Sequence, residues 1–195
     1  MFGLPTSIFI NDKEYPIRNR GDFRMVLDCF SALNDSELDK SYRIATALII
    51  FYEGLDDYTD LNIFFDGNTE RAVKEMFNFM NLGQPDMHRV DNLVLYNWEK
   101  DEQLIAGAVN AVARKELRGE EYVHWWTFMG YFANIGEGSF STIISIRYKI
   151  KKGKKLEKYE KEFRRDNPQY FQWEAKSAED IEAEEYIRNL WNNGG

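Results

Sequence analysis

Leu104-Ile105-Ala106-Gly107-Ala108-Val109-Asn110-Ala111-Val112-Ala113 is the stretch on which the fold class turns. Leu104, Ile105, Ala108, Val109, Val112 and Ala113 return to one side of a 3.6-residue period, no proline falls between 99 and 117, and Gly107 is the only interruption. The spacing predicts a helix over 99–117. The same period continues outward on both sides. Residues 120–135 predict a helix dense in rings (Tyr122, Trp125, Trp126, Phe128, Tyr131, Phe132), broken by Gly136-Glu137-Gly138. Ser139 is placed to cap a segment whose Phe140, Ile143, Ile144 and Tyr148 suit a helix or a strand, since β-branched residues favour the latter.

Upstream, Asn68 is a candidate N-cap for a helix through Val73, Met76, Phe77 and Met80 that closes at Gly83. Ser36-Glu37-Leu38-Asp39 resembles a capping signal for a helix through Tyr42, Ala45, Leu48, Ile49 and Tyr52, and its half over 44–52 is apolar nearly all round, as in a central helix. Asp22 is placed to cap a shorter helix through Phe23, Val26, Leu27, Phe30 and Leu33. Only the first residues change period: Ser7-Ile8-Phe9-Ile10 and Glu14-Tyr15-Pro16-Ile17 flank Asn11-Asp12-Lys13 and predict a hairpin, with Pro16 keeping its strand at an edge. The expected fold is therefore mainly α. A hairpin arm over 1–20 precedes a compact helical domain over 21–150 and a charged C-terminal helical extension over 151–195. In that extension 154–165 carries only Leu156, Tyr159 and Phe163 as apolar residues, and 177–191 reads as an acidic amphipathic helix.

Composition narrows the function. At 195 residues, with 44% hydrophobic and 15% aromatic side chains, the chain is too apolar to stay unfolded. One cysteine, Cys29, and two histidines, His88 and His124, are too few for a disulfide or an ordinary zinc site, so no metal or cofactor is expected. The longest apolar run, 44–52, falls far short of the roughly 20 residues that span a bilayer, so no membrane partner and a cytoplasmic location are expected. His124 stands beside two tryptophans and reads as a packed residue rather than a base. Gly136-Glu137-Gly138 lacks the strand and third glycine of a dinucleotide turn, and Asp56, Asp57, Asp60 and Asp66 miss the alternating positions of a calcium loop. No catalytic residue is expected.

The net charge of −8 conceals an asymmetry: 147–165 holds ten Lys or Arg against three Glu. With Tyr148, Tyr159 and Phe163 interleaved, this segment could bind nucleic acid. The interleaved glutamates, and the acidic residues between Glu174 and Glu185, favour protein pairing instead, within the chain or between neighbouring subunits.

Tyr122-Val123-His124-Trp125-Trp126-Thr127-Phe128, then Phe132, Gly136-Glu137-Gly138, Phe140, Ile143-Ile144 and Ile146-Arg147, resemble the signature of small phage proteins of the gene product fifteen family, similar to the tail assembly chaperones of siphophages. The likeness extends over roughly 36–166, and departs most at Lys115-Glu116-Leu117-Arg118-Gly119, which is more polar than the family pattern. It implies a non-catalytic protein of the host cell cytoplasm, absent from the mature virion. Its client would be the tape measure protein, kept soluble while the tail tube assembles; further implied partners are the tail tube protein, a frameshifted longer form of itself, and like subunits in a homo-oligomer. Burying a large apolar side chain stabilises by roughly 1.5–3 kcal/mol, so His124, Trp125, Trp126, Phe128 and Phe132 read as a structural core motif. Leu156, Tyr159, Phe163, Tyr170, Phe171 and Trp173 lie on sparse stripes in charged surroundings and are the expected partner-binding residues. Nucleic-acid binding through 147–165, or a structural place in the finished tail, are the alternatives.

Overall fold

The computed structural model describes residues 3–84, 95–172, 181–183, 185, 186 and 189. It is mainly α, with one two-stranded antiparallel sheet. Strands β1 (Ser7–Ile10) and β2 (Lys13–Pro16) pair with Ile8 opposite Tyr15 and Phe9 opposite Glu14. The turn is Asn11 and Asp12, both at positive φ, the geometry a two-residue hairpin requires and which Asn and Asp tolerate best after glycine. There follow α1 (Phe23–Asn34), α2 (Lys40–Phe51), the short α3 (Leu61–Phe64), α4 (Thr69–Met80), α5 (Glu102–Ala113), α6 (Trp125–Ala133), α7 (Ser139–Lys151) and α8 (Lys158–Asp166). Short 3-10 turns lie at Arg18–Gly21, Tyr58–Asp60, Leu117–Gly119 and Pro168–Tyr170. Among the described residues no helix is long and apolar enough to cross a membrane.

The chain forms two compact units, and neither follows the boundaries expected at residues 20 and 150. The first comprises 1–88, 122–127 and 176–195; the second comprises 89–121 and 128–175. In the first unit α1 and α2 bury Val26, Cys29 and Leu33 with Ala47, Leu48 and Phe51, and α4 buries Ala72, Val73, Met76, Phe77, Phe79 and Met80. The hairpin is part of this core and not an arm. Ile10, Tyr15 and Ile17 are buried, Ile17 bridges Tyr52, and Glu53 N–H donates to the Pro16 carbonyl. Tyr52 sets its ring edge-on against Phe51 and Phe65 and donates its hydroxyl to the Ala72 carbonyl at 2.8 Å, and burial pushes that hydroxyl well above the ordinary phenol range.

In the second unit Ile143, Ile146 and Phe171 form a buried cluster on which Leu104, Ile150, Leu156, Phe163 and Tyr170 pack. Tyr96, Trp98, Phe132 and Phe140 add a ring cluster beside Phe128. The ambiguous segment after Gly138 is helix: Ile143, Ile146 and Ile150 fall on the face that packs, and the Ser141 hydroxyl accepts the Gly138 N–H at 2.9 Å.

Element ends depart from the sequence expectations where a partner competes. Helix α2 starts at Lys40, because the Asp35 carboxylate accepts the Glu37 N–H at 2.9 Å and turns the chain before it can wind. Helix α5 stops at Arg114, which is left-handed at φ 56°. Helix α6 starts at Trp125 and not near 120, since Tyr122–His124 runs extended against Asp22.

Candidate functional site

The His-Trp-Trp part of the chain's conspicuous motif is built into the first unit. Asp22 caps α1 as expected, its carboxylate accepting the Arg24 N–H at 3.0 Å, and its second oxygen accepts the Val123 N–H at 2.8 Å. Phe23 N–H donates to the Val123 carbonyl at 2.9 Å, so the residues before α6 are stitched to the start of α1. His124 is not within a helix but ahead of one. Its Nδ1 accepts the Trp126 N–H at 3.0 Å, satisfying an end group of α6, which leaves Nε2 to donate to the Pro5 carbonyl at 2.9 Å. Burial holds this imidazole below its ordinary value, against the Pro5 hydrogen bond and the Asp22 charge, which raise it. Both ring nitrogens are engaged in holding backbone.

Trp125 and Trp126 donate their indole N–H groups to the last carbonyls of α4: Trp125 to Met80 at 2.9 Å and Trp126 to Phe79 at 3.0 Å. Trp125 is fully buried and Trp126 half-buried. Gly21 lies at φ +78°, and a Cβ there would meet Phe79 Cζ at 2.7 Å and His124 Nε2 at 3.1 Å, so only glycine fits. In the second unit Phe128 is buried and Phe132 half-buried among rings. The five residues of the motif have packing partners, in two units and not one.

The second unit is organised by charge. Arg147 lies on α7 with Phe140, Ile143 and Ile146 and is buried, its guanidinium clamping Asp101 with bonds of 2.6 and 2.8 Å. It also donates to the carbonyls of Tyr170 at 2.9 Å and Leu95 at 3.0 Å. Asp101 accepts the Asn97 N–H at 3.0 Å as well. Glu160, buried on α8, accepts Lys149 Nζ at 2.7 Å and the Glu157 N–H at 2.8 Å; the ammonium holds its carboxyl below the ordinary range. Two of the ten cations in 147–165 are thereby turned to internal work, which weakens the nucleic-acid reading.

The expected partner-binding residues separate. Leu156, Phe163, Tyr170 and Phe171 pack on or within the cluster of Ile143 and Ile146, and Phe171 meets Phe163 edge-on, so these four serve a core of their own. The extension has its own place to pack, because α7 turns an isoleucine face towards it. Tyr159 stays 62% exposed. Trp173 lies outside the described residues, as does His88. The other strongly exposed apolar side chains among the described residues include Ile63 at 76% and Phe9 at 63%. Phe9 lies on β1 and Ile63 on α3, and the hairpin is tied to the loop after α3: Lys13 pairs with Asp66 at 2.8 Å and Asn11 donates to Asn68 at 2.9 Å. Among the described residues no group of three His, Cys, Asp or Glu is placed to hold a metal ion.

Residues 3–171, which take in the hairpin, the His-Trp-Trp motif and the Arg147 clamp, match the family model described as Bacteriophage Gp15 protein. The chain belongs to that family. No curated protein and no solved structure matches it. Membership of the Gp15 family points to a phage structural or assembly protein, and the matched span ends at Phe171, the last residue of the second unit's buried cluster.

Sequence reasoning gave Asp22 as a helix cap but missed its bond to Val123, named Arg147 only as the end of the family signature, and gave no role to Asp101 or Glu160. A signal was present: Asp101 precedes Ile105 and Val109 at four-residue steps, Arg147 follows Phe140 and Ile143 at i+7 and i+4, and Glu160 falls between Leu156 and Phe163. A charge on an apolar stripe is a buried charge with a partner.

Proposed function

We propose that this protein is a non-catalytic tail assembly chaperone that binds the tape measure protein in the host cytoplasm, keeps it soluble while tail tube subunits assemble, and leaves before the virion is complete. The observation that carries the reading is the Gp15 family match over most of the chain. The surface supports it. Phe9 on β1 and Ile63 on α3 expose large apolar side chains on elements braced by hydrogen bonds, which suits the apolar stripe of an extended helical client that would otherwise aggregate. Among the described residues of the C-terminal set, Tyr159 is the one strongly exposed to such a contact.

Co-expression with a tape measure fragment tests the proposal. The fragment should become soluble and co-purify, and the double change Phe9→Ser and Ile63→Ser should reduce the yield of complex without shifting the thermal midpoint of the free protein. Separate elution with the fragment still insoluble would refute the client. Mass spectrometry of purified virions should find the protein missing; its presence at stoichiometric levels would make it a tail component.

A further inference from the structure

The two units carry different charge. Residues 1–88 hold fifteen Asp or Glu against eight Lys or Arg, and within 53–66 there are five acids and no base. Glu53, Asp57 and Asp60 are exposed there, and among the described residues no cation pairs with them. Their surface is preformed. Asp57 accepts both the N–H and the hydroxyl of Thr59, at 2.8 and 3.0 Å, while Tyr58, 45% exposed, stands edge-on to Tyr42 and shares a hydrogen bond with Thr46 on α2. The result is an acidic turn studded with two half-open tyrosine rings.

Helix α8 presents the complement. Leu156, Glu160 and Phe163 hold one face to the second unit, which turns Lys158, Lys161 and Arg165, at i, i+3 and i+7, to solvent, bordered by exposed Tyr159. Among the described residues no carboxylate pairs with Lys158 or Lys161; Arg165 meets its neighbour Asp166. The acidic C-terminal residues do not supply a partner where they are described: Glu182 bonds Lys40 at 2.8 Å, within the first unit. Exposed Glu157 and Glu162 beside the lysines disfavour a phosphate backbone and suit a protein surface of mixed character.

We infer that the Lys158–Lys161–Tyr159 face of one copy docks on the Asp57–Tyr58–Asp60 turn of a second copy. The contact joins unlike patches, so two copies that make it reciprocally close as a pair, and copies that make it once keep one patch of each kind for the next. Single exposed ion pairs contribute little and are screened by salt, so the rings provide the apolar part and the charges set register and salt dependence. The inference stands apart from the client: it concerns this chain alone and is read without a tape measure protein.

Light scattering after size-exclusion chromatography tests it. The average mass of the wild type should rise with concentration at about 50 mM salt and fall towards the monomer at about 1 M. Lys158→Glu with Lys161→Glu, and separately Glu53→Lys with Asp60→Lys, should each remain monomeric with unchanged thermal midpoints, because all four side chains are exposed. Mixed, the two variants should associate again, since the reversed α8 of one meets the reversed turn of the other with opposite charge, and the native turn of the first meets the native α8 of the second. A wild type that is monomeric throughout, variants that associate like the wild type, or a mixture that stays monomeric would overturn the inference. So would duplex DNA binding lost on changing Lys158 and Lys161.

Discussion

The two units solve one problem, pinning distant segments together, with opposite chemistry. In the first, Asp22 and a neutral His124 hold backbone through hydrogen bonds, Asp22 also pairing with its neighbour Arg24, and the apolar burial comes from Trp125 and the rings around it. In the second, a buried ion pair gathers three segments: Arg147 on α7 holds Asp101 before α5, the carbonyl of Leu95 and the carbonyl of Tyr170. Rings tolerate a small loss of geometry because dispersion contacts are many and individually weak. A buried charge does not, because one missing partner leaves an ion in a poor solvent. The second unit should therefore be the more brittle.

Breaking that clamp is the largest effect expected. Arg147→Ala should cost about 3–5 kcal/mol in a urea titration, and the paired change Arg147→Met with Asp101→Leu should recover more than half of the loss, because the stranded carboxylate is gone. If the paired change is as damaging as the single one, the clamp acts through its carbonyl bonds and not its charge. Phe163→Ser, which strips a ring from the cluster of Ile143 and Ile146, should cost about 1.5–3 kcal/mol. Asp22→Ala should cost about 1–2 kcal/mol, as for a lost helix cap, with Asp22→Asn milder because an acceptor remains.

Acid separates the units by titration. His124 is held below its ordinary value when folded, so the unfolded chain takes up its proton first; stability is full above about pH 6.5 and declines as the pH falls below it. Glu160 is also held low when folded, but its contribution is complete above about pH 4.5 and is lost only as the pH falls through its folded value. Indole fluorescence of the first unit should therefore report softening in mild acid, and His124→Asn, which can still accept from Trp126, should remove that step while leaving the later one that belongs to Glu160. The smallest effect belongs to Tyr159→Ser, within about 0.5 kcal/mol of the wild type, since its ring lies in solvent.

Helical period alone exposed the course of α1, α2, α4 and α5, since their apolar residues recur on one face whatever they pack against. The hairpin was equally plain in its strands, though not in its burial, because an edge strand and a core strand share the same alternation here. What stayed hidden was long range. Nothing near position 124 announces that its imidazole ends an extended segment, and 120–135 looks helical throughout because Tyr122 and Val123 are as compatible with the period as Trp126. The candidate surface was half visible: the spacing of Leu156, Tyr159 and Phe163 reveals a stripe, but only the isoleucine face of α7 decides that two of the three are covered.

The bond from His124 to Pro5 links residues 119 positions apart, and that from Val123 to Asp22 links residues 101 apart. On the ribosome, the first helices emerge long before the strand that fastens them, so α1, α2 and α4 must wait as a partly open nucleus for the length of the intervening chain. The second unit begins and continues inside that interval, and its last buried ring, Phe171, follows the fastener. Closure of this protein is thus a late translational event, and a nascent chain halted before residue 126 would lack the keystone of its own beginning.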